Sequence, residues 1–159
     1  MMPEKKRVLF LCTHNSARSQ MAEGLLRALS NSSVDVFSAG AVATSVRPEA
    51  IIVMQEIGIN ILGQESKTME RYLTEPFDLV ITVCDSAGEA CPVFPNARER
   101  WHWSVDDPSQ AEGEEAERLN AFRHARDELR RRIEDTILVK ANPGNDPESW
   151  SSRHSGDGR

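Results

Sequence analysis

The sequence predicts an α/β fold on a parallel sheet, and three observations predict it. A continuous apolar run near the start, residues 8–11, reads as a strand buried on both faces. Strand-like and helix-like segments then alternate along the chain. Polar loops rich in Gly, Ser and Asp follow the strands. With 159 residues and 39% hydrophobic content, the chain suits one ordinary domain that closes a core without staples.

Val8, Leu9, Phe10 and Leu11 follow the charged Lys5, Lys6 and Arg7, as in a central strand. After the polar stretch 13–16, Met21, Leu25 and Leu29 recur at helical spacing with Ala22, Leu26 and Ala28 beside them, predicting an amphipathic helix over about 17–29. Residues 34–37 alternate as a second strand, ended by Ser38, Ala39 and Gly40. Pro48 opens a helix whose Ile51, Met54 and Ile57 face inward before Gly58 stops it. Residues 59–62 form an extended link and 66–73 a short helix, leading to a third buried strand over 77–83 with Cys84 at its carboxyl end. Residues 85–96 read as a loop and 100–103 as a short fourth strand. In the last helix, about 114–138, Leu119, Phe122, Leu129, Ile133 and Ile137 track one face, and the Arg and Glu residues elsewhere read as a solvated surface. The domain is expected over 1–139. In 140–159 Trp150 is the only large apolar residue, so this tail is expected to be disordered.

Nineteen Lys plus Arg against 25 Asp plus Glu give a formal charge of -6, which argues against a nucleic-acid partner. No apolar run approaches a membrane span or a signal-peptide core, so a cytoplasmic protein without membrane contact is expected; separately, a monomer is expected. Three cysteines are an odd, low count for a disulfide scaffold, which leaves them as reactive thiols or buried fillers.

Cys12-Thr13-His14-Asn15-Ser16-Ala17-Arg18 is a C-x5-R segment between a buried strand and a helix start. Unpaired backbone N–H groups and the helix dipole favour an oxyanion there, so Thr13, His14, Asn15, Ser16, Ala17, Arg18 and Ser19 are the candidate anion-binding set. Arg18 adds a planar fork suited to a tetrahedral oxyanion. The same field stabilises thiolate over thiol at Cys12 and makes it a nucleophile. Asn15 tolerates a left-handed turn, and Ser16 or Ser19 can donate to the sulfur. The plain alternative is a core cysteine beside an exposed arginine.

Residues 8–27, VLFLCTHNSARSQMAEGLLR, resemble the signature of the low-molecular-weight protein tyrosine phosphatase superfamily, and SARSQMAEG looks most like its thioredoxin-coupled arsenate reductase branch. The likeness continues through Phe37-Ser38-Ala39-Gly40, Val83-Cys84 to Cys91-Pro92, and His102-Trp103 to Asp106-Asp107-Pro108, covering about residues 7–138. It implies a four-stranded parallel sheet flanked by helices in three layers, with the C-x5-R loop at its carboxyl edge. It also implies an order of events. Cys12 attacks arsenate held by the loop and Arg18, while Asp107, less readily Asp106, protonates the departing oxygen. Cys84 then attacks Cys12 and arsenite leaves, and Cys91 attacks Cys84 to give a disulfide that thioredoxin reduces. No tightly bound cofactor is implied, and phosphate or sulfate would mimic the substrate.

Other readings remain beside that one. Cys84 and Cys91 are seven apart, which also suits unrelated cysteines or a zinc pair, although His14, His102, His124 and His154 show no ligand spacing around them. Asp-Asp-Pro is also a common turn opener. A phosphotyrosine phosphatase needs Cys12, Arg18 and Asp107 but has no use for Cys84 or Cys91, and Ser109-Gln110 stand where such phosphatases carry aromatics. A noncatalytic thiol sensor is the reading from another class. Several relatives in the arsenate reductase branch bind potassium through an Asn, a Glu, a Ser and an Asp. Here Asn15, Glu23 and Ser38 match, while Lys67 stands in the fourth place, and its ammonium is expected to replace the ion and bond Glu23 or Ser38. Ala17 replaces the Cys of many relatives and leaves the relay intact.

Overall fold

Two charged or polar residues precede the apolar run at residues 8–11 as part of one strand, β1 (Lys6–Cys12), which lies inside the sheet. The computed structural model describes residues 5–31, 33–84 and 93–138. β1 is flanked by β2 (Val34–Gly40) and β3 (Phe77–Thr82), and β4 (Ala97–His102) closes the order β2-β1-β3-β4, every pair parallel. Because β1 has a neighbour on each side and layers above and below, Val8, Leu9, Phe10 and Leu11 are all fully buried. Each such side chain contributes roughly 1.5–3 kcal/mol relative to exposure.

Alternation along β1 splits the core in two. Val8 and Phe10 join residues from α1 (Arg18–Leu29), α2 (Pro48–Gln55) and α3 (Glu115–Arg132), among them Met21, Leu25, Val53, Met54, Phe122 and Leu129. Leu9 and Leu11 face the other way, onto Tyr72, Phe77, Val80 and Phe94. On that side Phe37, Tyr72, Phe77 and Phe94 meet edge to face, and the Arg7 guanidinium stacks over Phe37 and Phe77. Pro48 sits in the first turn of α2, where its missing N–H costs nothing. At α3 a capping box, Glu114 with Glu117, holds the first turn, and a π-helical turn (Ile133–Ile137) prolongs the helix while keeping Ile133 and Ile137 buried.

Several boundaries differ from the sequence expectation. Ser38, Ala39 and Gly40 do not end the second strand but belong to it, because they pair with Phe10, Leu11 and Cys12. The fourth strand starts earlier, at Ala97, and Trp103 lies beyond it, although its N–H still donates to Thr82 O. The helix expected over 66–73 shrinks to one 3-10 turn (Met69–Tyr72), since Lys67 and Thr68 run extended against Gly40. Ala28 is exposed rather than part of the inward stripe. Residues 85–92, including Cys91, and 140–159 lie outside the described residues.

Pairing of Leu11 with Thr82, and of Val83 N–H with Leu11 O at 2.8 Å, brings the carboxyl ends of β1 and β3 side by side. Cys12 and Cys84 therefore leave adjacent strands at the same edge of the sheet, where ligands of parallel α/β sheets bind.

Candidate active site

Asn15 turns the chain between β1 and α1. Its φ of 52° is left-handed, a conformation that Asn tolerates better than most residues. The turn aims the Asn15 N–H at Cys12 Sγ, 3.2 Å away. It also brings the loop against Gly40, where an added Cβ would lie 2.7 Å from Asn15 N and 2.9 Å from Thr13 O, so only glycine fits. Past Gly40 the two segments stay laced together, with Val42 N–H donating to Thr13 O and Arg47 N–H to Ser16 O.

Hydrogen-bond direction in the loop follows from Asn15. Its Oδ1 accepts from Lys67 N–H at 2.8 Å and from Gln20 Nε2 at 2.9 Å, which fixes the amide and turns Nδ2 toward Ser19 and Ser38. Ser38 accepts there and donates to Glu23 Oε1, an acceptor-only carboxylate. Ser19 likewise accepts from Asn15, so its own proton is left for Cys12 Sγ at 2.8 Å. The sulfur thus faces two hydrogen-bond donors. Ser19, rather than Ser16, is the hydroxyl that serves it.

α1 begins right after the loop. Its N-cap is Ala17, which offers no side-chain acceptor, and its first turn holds no acid, so the positive end of the helix dipole faces the loop uncompensated by carboxylate. Arg18 is buried at 3% exposure. Its Nη1 donates to Val83 O at 3.2 Å and Val105 O at 2.9 Å, and its Nη2 lies 3.6 Å from Asp107 Oδ2. Asp107 caps the turn Pro108–Gln110, taking both the N–H and the hydroxyl of Ser109 on Oδ1. The turn-opening and site readings of Asp107 therefore describe the same residue: Oδ1 holds the turn and Oδ2 faces Arg18. Cys12 is free, whereas Cys84, fully buried, is disulfide-bonded. Thr13 and Ser16 are half-buried, His14 is exposed and Ala17 is buried.

Lys67 is buried at 6% exposure and does not point into solvent. Its Nζ lies 3.8 Å from Glu23 Oε1 and donates to Glu65 O at 2.6 Å, so the expected hydrogen bond to Glu23 or Ser38 is instead an ion pair plus a bond to a main-chain carbonyl. Burial pulls the Lys67 ammonium below its usual pKa, against the opposing pull of Glu23 and Glu65. The donor set does not fit a potassium ion: Asn15 Oδ1 already takes two N–H donors, Ser38 Oγ is spent between Asn15 and Glu23, and an ammonium stands beside Glu23.

Sequence reasoning missed Gln20 and Gln64. Gln20 is fully buried and bonds Asn15 directly, and Gln64 bonds Gln20. One signal was available in retrospect, since Gln20 and Glu23 flank Met21 and Ala22 on a helix otherwise read as amphipathic.

The model of the low molecular weight phosphotyrosine protein phosphatase family matches residues 7–141. The chain belongs to this family. An arsenate reductase of Halalkalibacterium halodurans is 47% identical over 129 residues, which are 81% of this chain and 93% of that protein. A solved arsenate reductase in its phosphate-binding state superposes with a TM-score of 0.73 at 33% identity, covering 86% of this chain and 99% of its own. A thioredoxin-dependent arsenate reductase of Corynebacterium glutamicum superposes with a TM-score of 0.63 at 27% identity, covering 87% of this chain and 65% of its own. The four-stranded parallel sheet implied by the sequence resemblance is the family's fold as it stands here.

Proposed function

We propose that the protein is an arsenate reductase working through Cys12, Cys84 and Cys91, with thioredoxin as its reductant. The observation that carries this reading is the pairing of two cysteines at adjacent strand ends, one free inside an anion-shaped loop and the other already in a disulfide. Ester hydrolysis would need only the first. The names of the relatives support the same choice.

In the proposed reaction, arsenate sits in the loop 13–18 with its oxygens on main-chain N–H groups and the Arg18 fork. The Cys12 thiolate, held by Asn15 N–H and Ser19 Oγ, forms an S–As bond as Asp107 protonates the departing oxygen. The Cys84 thiolate then attacks Cys12 Sγ. The S–As bond breaks with its electron pair left on arsenic, so As(V) becomes As(III), two thiols become one disulfide, and arsenite leaves. Attack by Cys91 on Cys84 frees Cys12 and passes the disulfide to the Cys84 loop. Cys12 free and Cys84 oxidised is the state that this sequence ends in before thioredoxin acts.

Arsenate-dependent NADPH consumption with thioredoxin and its reductase tests the proposal, and silence in that assay overturns it. Cys84→Ser should abolish steady-state arsenate turnover yet spare hydrolysis of a small aryl phosphate. Equal loss of both would return the protein to the phosphatase reading, which the cradle of Cys12, Arg18 and Asp107 also suits. Lys67 takes the place of a bound cation in this reading, and activity is independent of potassium.

A further inference from the structure

Gln20 has no part in the chemistry described so far, yet its exposure is zero in the third position of a helix that starts at the anion loop. Its Nε2 lies 3.0 Å from Asn15 O, 2.9 Å from Asn15 Oδ1 and 2.9 Å from Glu65 O. Three oxygens around one NH2 group fix which end of the amide faces them, because the carbonyl end would be repelled by all three. The other end is fixed as well: Gln64 Nε2 donates to Gln20 Oε1 at 2.8 Å and to Gln20 O at 3.0 Å, and Gln64 Oε1 accepts from Arg27 Nη1. Gly24, one turn further along α1, makes this approach feasible. A Cβ there would lie 2.6 Å from Ile61 and 3.4 Å from Gln64 Oε1, so a larger residue would push the 61–64 segment off the helix.

We infer that Gln20, oriented by Gln64, is a positioning residue for Cys12: its amide clamps both oxygens of the left-handed Asn15 and thereby holds the two donors on the sulfur. Asn15 in an L-residue's costly conformation needs such over-determination. Without Gln20, Asn15 Oδ1 keeps only the Lys67 N–H, its main-chain carbonyl loses its side-chain partner, and the Nδ2 that turns the Ser19 proton onto sulfur loses its fixed direction. Gln20 acts through Asn15 and Ser19 and touches neither sulfur nor substrate.

The inference rests on the reading of Cys12 as an activated nucleophile, and one experiment separates the two. The full-length chain is reduced, alkylated with iodoacetamide across a pH series, and the Cys12 peptide is quantified by mass spectrometry. In Gln20→Leu the alkylation of Cys12 near neutral pH is expected to slow by about tenfold, as the two donors lose their fixed aim at the sulfur. Gln64→Ala should slow it by less. A thermal melt of each variant reports folding separately. A lowered melting temperature with an unmoved Cys12 profile would mean that Gln20 is structural filling and would overturn the inference alone. An ordinary thiol profile in the unsubstituted protein would overturn the nucleophile reading and the inference with it. Should Gln20→Leu fail to fold, the Gln64→Ala profile decides, and no shift there counts against the clamp.

Discussion

Glu23 and Glu56 each pair with two cationic side chains, and they live in opposite surroundings. Glu23 is buried beneath the anion loop, with Ser38 donating to one oxygen, Arg27 to the other, and Lys67 3.8 Å away. Glu56 is exposed between α2 and α3, where Arg123 grips it through Nε and Nη2 and Arg126 reaches it on the way to Val53 O. A buried charge has lost its water and depends wholly on its protein partners, whereas an exposed one has solvent to fall back on. The Glu23 cluster is thus a precondition of the site, and the Glu56 cluster an adjustable clasp between two helices.

Removing the buried carboxylate is expected to do most. Glu23→Leu leaves the Lys67 ammonium without its counter-charge and the Ser38 hydroxyl without its acceptor, and a loss of about 3–5 kcal/mol in a urea melt is expected, as for other broken buried pairs. A loss no larger than that of an exposed pair would erase the contrast. Next comes Lys67→Met, which vacates the space beside Glu23 without touching the sulfur. It should lower the melting temperature by less than Glu23→Leu does, and potassium, compared with an equal concentration of a large organic cation, should leave the melting temperature of the unsubstituted protein unchanged. A potassium response in the unsubstituted protein would show that the ammonium does not hold that position.

Glu56 should matter least and mainly in acid. Its pKa is lowered from 4.5 to about 2, first by the hydrogen bond from Arg123 and then by Arg126. Because the folded value lies below the unfolded one, its stabilisation is complete above about pH 4.5 and is lost as the pH falls toward 2. Glu56→Gln should therefore flatten the acid limb of the stability profile in that window, and added salt should shrink the difference, as befits an exposed pair. An effect that persists in high salt would place Glu56 with Glu23 after all.

What the sequence disclosed follows the same division. Val8, Phe10 and Leu25 are apolar for local reasons that repeat at strand or helix spacing, so the sheet, its three main helices and the loop at the edge were all readable. Cys12, Arg18 and Ser19 were readable as chemistry because they are close in sequence. Gln20 was not, since its meaning depends on Glu65 O and Gln64, 45 and 44 residues away, and nothing at position 20 announces those partners. Ser38 was read as a strand end for a related reason: pairing with Phe10 is set by the neighbouring strand, and no local breaker opposes it. Lys67 was assigned its neighbourhood by resemblance but the wrong acceptor, because a main-chain carbonyl two residues away is closer than the carboxylate.

Arg18 fastens the exit of one strand through Val83 O, the segment beyond another through Val105 O, and the carboxylate that follows it. It is a keystone as much as a hook. A lysine in its place would have one compact ammonium for three separate bearings and would let two chain segments drift while still offering a positive charge. Weak turnover in such a variant would accordingly speak of lost alignment among thiol, acid and second strand, even where the oxyanion itself is still captured.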